Sequence, residues 1–337
     1  MLIAIFDDRV EPLLADRFPD HDVKIFRDRT STAEAFLEQA RGAQVIGVRR
    51  ISGFELTRPL VEALPDLQYI HKSGTGTDWL DLPALTEHGV LVSTNNGFNA
   101  PSVADHIVLL AQLCLRGTLE KLLQMKSGIV NRVPPAQGAI GIEGKTVGII
   151  GLGQIGTNAA RRFAAAGAKI VAHGRHPREE PTIPGGVTWI ALDDLLRISD
   201  VVVPCVPLTP ETERLLGARE LALMKPTAVL VNCSRGKVLD EHALYEALAA
   251  RRIRAAGLDV FEQDPVPSDN PLLALDNVLA TPHIAGATAD QVSGLVENLE
   301  LFVTGHRPRR LANPQILDLG TARAKHLQGS HAAPPCR

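Results

Sequence analysis

Short apolar runs separated by stretches of helical spacing set the rhythm of this chain from its first residues. Leu2 to Phe6, Val23 to Phe26, Val45 to Val48, Gln68 to Lys72 and Val90 to Ser93 read as β-strands. Strands alternating with helices predict a parallel sheet, because a parallel neighbour is reached only by a long crossover. Between Pro101 and Leu123 the pattern turns long and apolar, with Pro101 suited to a first turn, and predicts one helix leaving the first domain. A second series begins at Thr146, with strands near Val147 to Ile150, Lys169 to Ala172, Val201 to Val203, Ala228 to Asn232, Ala255 to Asp259 and Val278 to Ala280. Six strands is the doubly wound count. The helical stretch Ala289 to Val303 then returns to complete a discontinuous first domain, and from Leu317 onward the periodicity is lost, so residues 317–337 are expected to be disordered.

Composition narrows the class. A chain of 337 residues suits two domains, and 45% hydrophobic with 22% charged residues is the balance of a soluble globular protein. The net charge of -3 leaves no basic footprint for nucleic acid. No apolar run reaches the roughly 20 residues of a membrane helix, and the N-terminus meets Asp7 and Asp8 too early for a secretory signal. Cys114, Cys205, Cys233 and Cys336 lie far apart, which predicts neither a metal site nor a disulfide framework and fits a reducing cytoplasm.

The most telling local feature is Gly151-Leu-Gly-Gln-Ile-Gly156, placed between the apolar run ending at Ile150 and an alanine-rich helical pattern. Strand, glycine turn and helix in that order make a nucleotide site. Gly151 allows the tight turn, Gly153 lets backbone approach a pyrophosphate, and Gly156 lets the helix lie against its strand. Gln154 and Ile155 open a helix whose free N–H groups face phosphate oxygens. The fold class is therefore α/β, two Rossmann-like doubly wound parallel-sheet domains.

Further motifs follow: Val231-Asn-Cys-Ser-Arg235-Gly236, Gly257-Leu-Asp259-Val-Phe261, Asp264-Pro265 and Thr281-Pro-His283-Ile-Ala-Gly286. With the glycine turn, and with Gly74-Thr-Gly-Thr-Asp78, Asn95-Asn-Gly-Phe-Asn99 and Ser102-Val-Ala-Asp-His106, the set closely resembles the D-2-hydroxyacid dehydrogenase family from about Gln68 to Asn313. The resemblance implies a nucleotide-binding Rossmann domain (99–286) inserted in a flavodoxin-like substrate domain (1–98 plus 287–316), an interdomain cleft, and a homodimer. It also implies an NAD(P)-dependent oxidoreductase moving hydride between nicotinamide and C2 of a small 2-keto or 2-hydroxy acid.

That reaction needs a cation for the carboxylate, a proton donor for the new hydroxyl and a fixed cofactor. Arg235, after an apolar strand, offers a planar fork that matches a carboxylate. His283 is the candidate proton donor, because imidazole is the side chain whose unperturbed pKa lies closest to neutral pH. The family pairs this histidine with a glutamate, where this chain has Asp264; the aspartate is one methylene shorter, so backbone or water is expected to close the gap. Glu262 is a substitute partner out of register. Asp259 resembles the residue that bonds the nicotinamide carboxamide, with a strand-end cap as the other reading. Val206, Pro207, Cys233, Ser234 and Gly286 resemble segments flanking the cofactor, Cys233 as packing. On the substrate side Gly74, Thr75 and Gly76 form a loop able to present N–H groups, and Lys72 resembles a basic substrate contact; a plain turn and a solvated lysine stay open. Asn99, Asp105 and His106 match the interdomain motif, with helix capping and packing as the other reading. Arg49, Arg50, Lys72 and Trp79 are expected to bound the substrate.

Coenzyme choice turns on the end of the second strand of the nucleotide domain. An NAD site carries an acid about 20 residues past the glycines. Here Gly174 occupies that place, followed by Arg175 and Arg178, which favours NADP(H), with NAD(H) left open. Since cells keep the phosphorylated coenzyme reduced, the expected direction is reduction of glyoxylate or hydroxypyruvate. A phosphoglycerate-dehydrogenase-like enzyme and a nucleotide-sensing corepressor are the alternatives.

Overall fold

The computed structural model describes residues 1–14, 17–27, 32–49, 54–74, 76–95, 97–129, 138–177, 183–318 and 320–327. Arg50, Thr75, Arg178 and Cys336 lie outside the described residues. The chain divides into two compact units, Met1–Asn99 with Thr288–Arg337, and Ala100–Ala287.

The first unit holds a five-stranded sheet of β1 (Leu2–Phe6), β2 (Asp22–Ile25), β3 (Val45–Val48), β4 (Tyr69–Lys72) and β5 (Leu91–Thr94), in the order β2-β1-β3-β4-β5. Every pairing is parallel. Strands β3, β4 and β5 are buried along their whole length, as expected when both faces of a parallel sheet are covered. Alternate residues feed opposite cores: Ala4, Ile46 and Ile70 on one face, Ile3, Ile5, Val45 and Tyr69 on the other. The helix Ala289–Val303 covers the second face through Val292, Leu295, Val296, Leu299 and Phe302, the last stacked on Tyr69 at 4.4 Å between ring centroids.

The loss of structure expected from Leu317 does not hold up to Leu327. A short helix spans Gln315–Asp318, Lys325–Leu327 forms a 3-10 turn, and Ala322, Ala324 and Leu327 are buried in the same core as Phe302. Three apolar anchors without a period suffice to dock the segment.

The second unit holds β6 (Thr146–Ile150), β7 (Lys169–His173), β8 (Thr188–Trp189), β9 (Val201–Pro204), β10 (Val229–Asn232), β11 (Ala255–Leu258) and β12 (Val278–Ala280), ordered β12-β11-β10-β9-β6-β7-β8 and parallel throughout. The expected count of six becomes seven because the two-residue β8 extends the edge. Val201, Val203, Val229 and Val231 pack on one face, Val202 and Leu230 on the other. The single long helix expected from Pro101 to Leu123 is two, Ala100–Arg116 and Thr118–Lys126, broken at Gly117, whose φ of 58° is left-handed. Val103, Ile107, Leu110 and Ala111 bury the first of them. Among the described residues no helix is long and apolar enough to cross a membrane.

Candidate active site

The carboxyl end of β6 delivers the chain into the glycine turn. Gly151 takes φ 93° and donates its N–H to the His173 carbonyl at 2.8 Å. A Cβ there would stand 2.8 Å from Val206 Cγ1 and 2.9 Å from the Cys205 carbonyl oxygen, so only glycine fits. Gly153 is the residue before the helix Gln154–Ala165, and a Cβ built on it meets open space. At Gly156 a Cβ would lie 2.2 Å from the Gly151 carbonyl oxygen, which fixes how closely helix and strand pack. The turn is thus filled on its protein side and open at Gly153, at the N-terminus of a 12-residue helix, a shape and polarity that fit a pyrophosphate. Gln154 is exposed there and Ile155 packs on the core behind it.

β7 ends at His173, whose Nδ1 lies 3.1 Å from the Ile190 carbonyl, and Gly174 follows with Trp189 at its side. No carboxylate stands at residues 173–177, and Arg175 is exposed. The Glu211 carboxyl is held below the usual carboxylate range first by its hydrogen bond from Thr209, with the Arg175 charge acting in the same sense. Arg175 and the segment after Pro207 therefore share one field. Val206 touches the Gly151 turn, and the Pro207 carbonyl accepts from Thr212 Oγ1 at 2.6 Å.

Strands β10, β11 and β12 are neighbours, and the residues after each carry the remaining candidates. After β10, buried Asn232 organises the turn: its Oδ1 accepts from the Ser234 amide at 2.9 Å and hydroxyl at 2.8 Å, and its Nδ2 donates to the Arg235 carbonyl at 2.9 Å. The half-buried Arg235 places Nη1 2.8 Å from the Ser234 carbonyl. A side chain at Gly236 would strike the Phe261 backbone at 1.9 Å, so the turn carrying Arg235 lies directly on the segment after β11. Burial pushes the Cys205 thiol up to about 12 and the Cys233 thiol well above its usual range, which suits packing and not nucleophilic attack.

After β11, Asp259 is 1% exposed and grips the loop beyond β12. Its Oδ1 accepts from Thr281 Oγ1 at 2.6 Å and the Ile284 amide at 2.9 Å, its Oδ2 accepts from the Ala285 amide at 2.9 Å, and its carbonyl accepts from the His283 amide at 2.9 Å. His283 sits in this loop with φ 53°, a backbone region that side-chain-bearing residues seldom adopt. Gly286 follows, half-buried.

His283 Nδ1 lies 2.7 Å from Asp264 Oδ2. The shorter aspartate reaches the imidazole directly, and neither backbone nor water has to bridge the gap. Glu262 is engaged elsewhere: its Oε1 accepts from the Glu241 amide at 3.2 Å, and its own amide donates to Glu241 Oε2 at 2.8 Å. With Nδ1–H directed at Asp264, Nε2 is left for other work on an exposed ring.

In the first unit Lys72 is buried at the end of β4 and is no solvated lysine. Gly74 takes φ 128°, and its carbonyl accepts from the Asn95 amide at 2.9 Å. Below this turn runs a buried chain that no sequence motif announces: Tyr69 hydroxyl to Ser93 Oγ at 2.5 Å, Ser93 Oγ to His71 Nδ1 at 2.7 Å, and His71 Nε2 to Asn95 Oδ1 at 3.0 Å. Burial drives the His71 pKa down to about 3, so the ring is neutral: Nε2–H donates to Asn95 and Nδ1 accepts from Ser93. The β-period signals that Tyr69 and His71 share a face; their partners on β5 become visible only through the register Tyr69↔Leu91 and His71↔Ser93. Asp105 does not cap a helix; it pairs with Arg162 at 2.5 Å.

The chain is similar to known proteins over most of its length. Residues 108–285 match the family model described as D-isomer specific 2-hydroxyacid dehydrogenase, NAD binding domain. The D-3-phosphoglycerate dehydrogenase of Methanocaldococcus jannaschii is 37% identical over 287 residues, 84% of this chain and 54% of that protein, so the chain spans about half the length of that relative. The glyoxylate reductase of Korarchaeum cryptofilum is 38% identical over 262 residues, 76% of this chain and 79% of that one. Among solved structures, the TT0316 protein from Thermus thermophilus superposes with a TM-score of 0.82 at 30% identity, covering 93% of this chain and all of its own.

Proposed function

This chain belongs to the D-isomer specific 2-hydroxyacid dehydrogenase family, and from that premise we propose that it reduces a small 2-keto acid, of the glyoxylate or hydroxypyruvate kind, with NADPH as the preferred coenzyme. The observation that carries the reading is the 2.7 Å pair of His283 and Asp264 on an exposed loop clamped by Asp259. The turn at residues 151–153 and the N-terminus of the helix Gln154–Ala165 would hold the pyrophosphate, and the bound nicotinamide supplies the hydride.

The rest falls to the chain's own side chains. Arg235 receives the substrate carboxylate through two parallel N–H···O contacts and draws charge from the adjacent carbonyl. Protonated His283 gives the Nε2 proton to the C2 oxygen as negative charge develops there. Asp264 accepts from Nδ1–H, fixes the ring's tautomer and stabilises its charged form, so a shorter acid does the family glutamate's work. Asp259 acts mainly by shaping the histidine loop, the strand-end cap of its two readings.

The coenzyme preference rests on Gly174 in place of an acid and on exposed Arg175 beside it. Removal of one guanidinium from a 2'-phosphate is worth about ten- to hundredfold in affinity. Arg175→Ala should therefore raise the Kd for NADPH by about that factor and leave NADH within about twofold. Equal loss for both coenzymes, read by fluorescence titration, would refute the contact. The 37% identical phosphoglycerate dehydrogenase and the basic Lys72 favour a second reading in which the substrate carries a phosphate; steady-state turnover of hydroxypyruvate against its phosphorylated counterpart separates the two.

We also propose a homodimer formed through the second unit. Leu109, Leu122, Leu123, Met125 and Ile129 are each about half exposed on two successive helices and the residues just after them, an apolar surface suited to a second copy.

A further inference from the structure

We infer that His106 is a positioning residue: acting through Thr281, it fixes the Asp259 carboxylate and so the loop that aims the His283 imidazole. The inference rests on the hydride-transfer reading for its catalytic consequence and on geometry alone for the anchoring.

The Asp259 carboxyl lies in a nearly closed environment, where its oxygens need protein donors in place of water. Among the described residues it has three donors, two of them the amides of Ile284 and Ala285, the residues directly after His283. The third is the Thr281 hydroxyl, two residues before His283. The carboxylate thus holds both sides of a residue in left-handed backbone geometry, and the hold depends on Thr281 pointing its single proton at Oδ1. A hydroxyl has one proton to give, so the contact of Thr281 Oγ1 with His106 Nε2 at 3.0 Å has imidazole as donor and hydroxyl as acceptor. That contact decides which way the hydroxyl faces. The same Nε2 stands 3.6 Å from Asp259 Oδ1, and its positive edge supports the buried charge directly.

His106 is well placed for the task. It lies on the helix Ala100–Arg116, whose flanking residues Val103 and Ile107 are locked in the core, and this helix packs on β10, β11 and β12. The rigid helix, the imidazole, the hydroxyl, the carboxylate and the two amides form one relay that ends at the catalytic ring. Spacing in the sequence hides it, since His106 and Thr281 are 175 residues apart.

The test compares His106→Leu, which keeps the volume without a donor, with His106→Gln, which restores an N–H at the same reach. Leucine should lower kcat about tenfold at saturating coenzyme, with coenzyme Kd unchanged and faster hydrogen exchange at residues 283–285. Glutamine should hold kcat and exchange within about threefold of wild type. Equal losses in the two variants, unchanged exchange in the leucine variant, or faster exchange with unchanged kcat would each overturn the proposal. If leucine prevents folding, Thr281→Val against Thr281→Ser asks the same question from the other side of the contact. If the wild-type protein reduces no 2-keto acid, the hydride-transfer reading fails, and the exchange comparison still decides whether His106 holds the loop.

Discussion

His283→Gln should lower kcat by about a thousandfold, within the range ascribed to a positioned general acid, while coenzyme affinity stays near wild type. Glutamine keeps a polar head of similar reach but has no proton that leaves near neutral pH. The loss falls on kcat because the proton is needed only as charge develops on the C2 oxygen, so binding of the keto acid is largely spared. A stopped-flow record of coenzyme oxidation, with a fluorescence titration of coenzyme binding, reads both quantities. A loss below about tenfold would remove His283 from the proton-transfer step. The 2.7 Å contact with Asp264 makes the expectation specific, because a ring with Nδ1–H so directed has Nε2 for the substrate.

Arg235→Lys should cost about a hundredfold in kcat/KM although the charge is kept. A guanidinium offers two parallel donors to a carboxylate, and an ammonium on a flexible stem offers one contact at a time. Arg235 also starts from a defined position: Asn232 Nδ2 holds its carbonyl, and its own Nη1 reaches the Ser234 carbonyl. Lysine makes neither the fork nor that contact in the same geometry. Steady-state kinetics over a range of keto-acid concentrations checks the value, and a variant within about threefold of wild type would show that the fork is not used.

Much of this was legible in the residues. The strands announce themselves as Val- and Ile-rich runs because parallel strands are buried on both faces, and the three glycines are readable because each has a distinct steric duty. The missing acid at Gly174 is equally plain, since an absent carboxylate needs no geometry. What stayed hidden depends on contacts distant in the chain or on small local choices. The apolar period runs unbroken across Gly117 and so predicts one helix, where a single left-handed glycine makes two. β8 is two residues long, too short to carry a period. Residues 320–327 dock with a few anchors that leave no pattern. At Asp264 the sequence shows a shorter side chain but not the backbone path that brings it to His283. The His71 and His106 contacts follow from strand register and helix packing, and no motif encodes either.

The most direct test follows one hydrogen atom. Wild-type protein is supplied with reduced coenzyme carrying deuterium at the transferable C4 position and with hydroxypyruvate, and the product is analysed by mass spectrometry and chiral chromatography. The account predicts D-glycerate with one deuterium on C2 for each coenzyme oxidised. Product of the L configuration, product without the label, or no coenzyme oxidation with any 2-keto acid would contradict it.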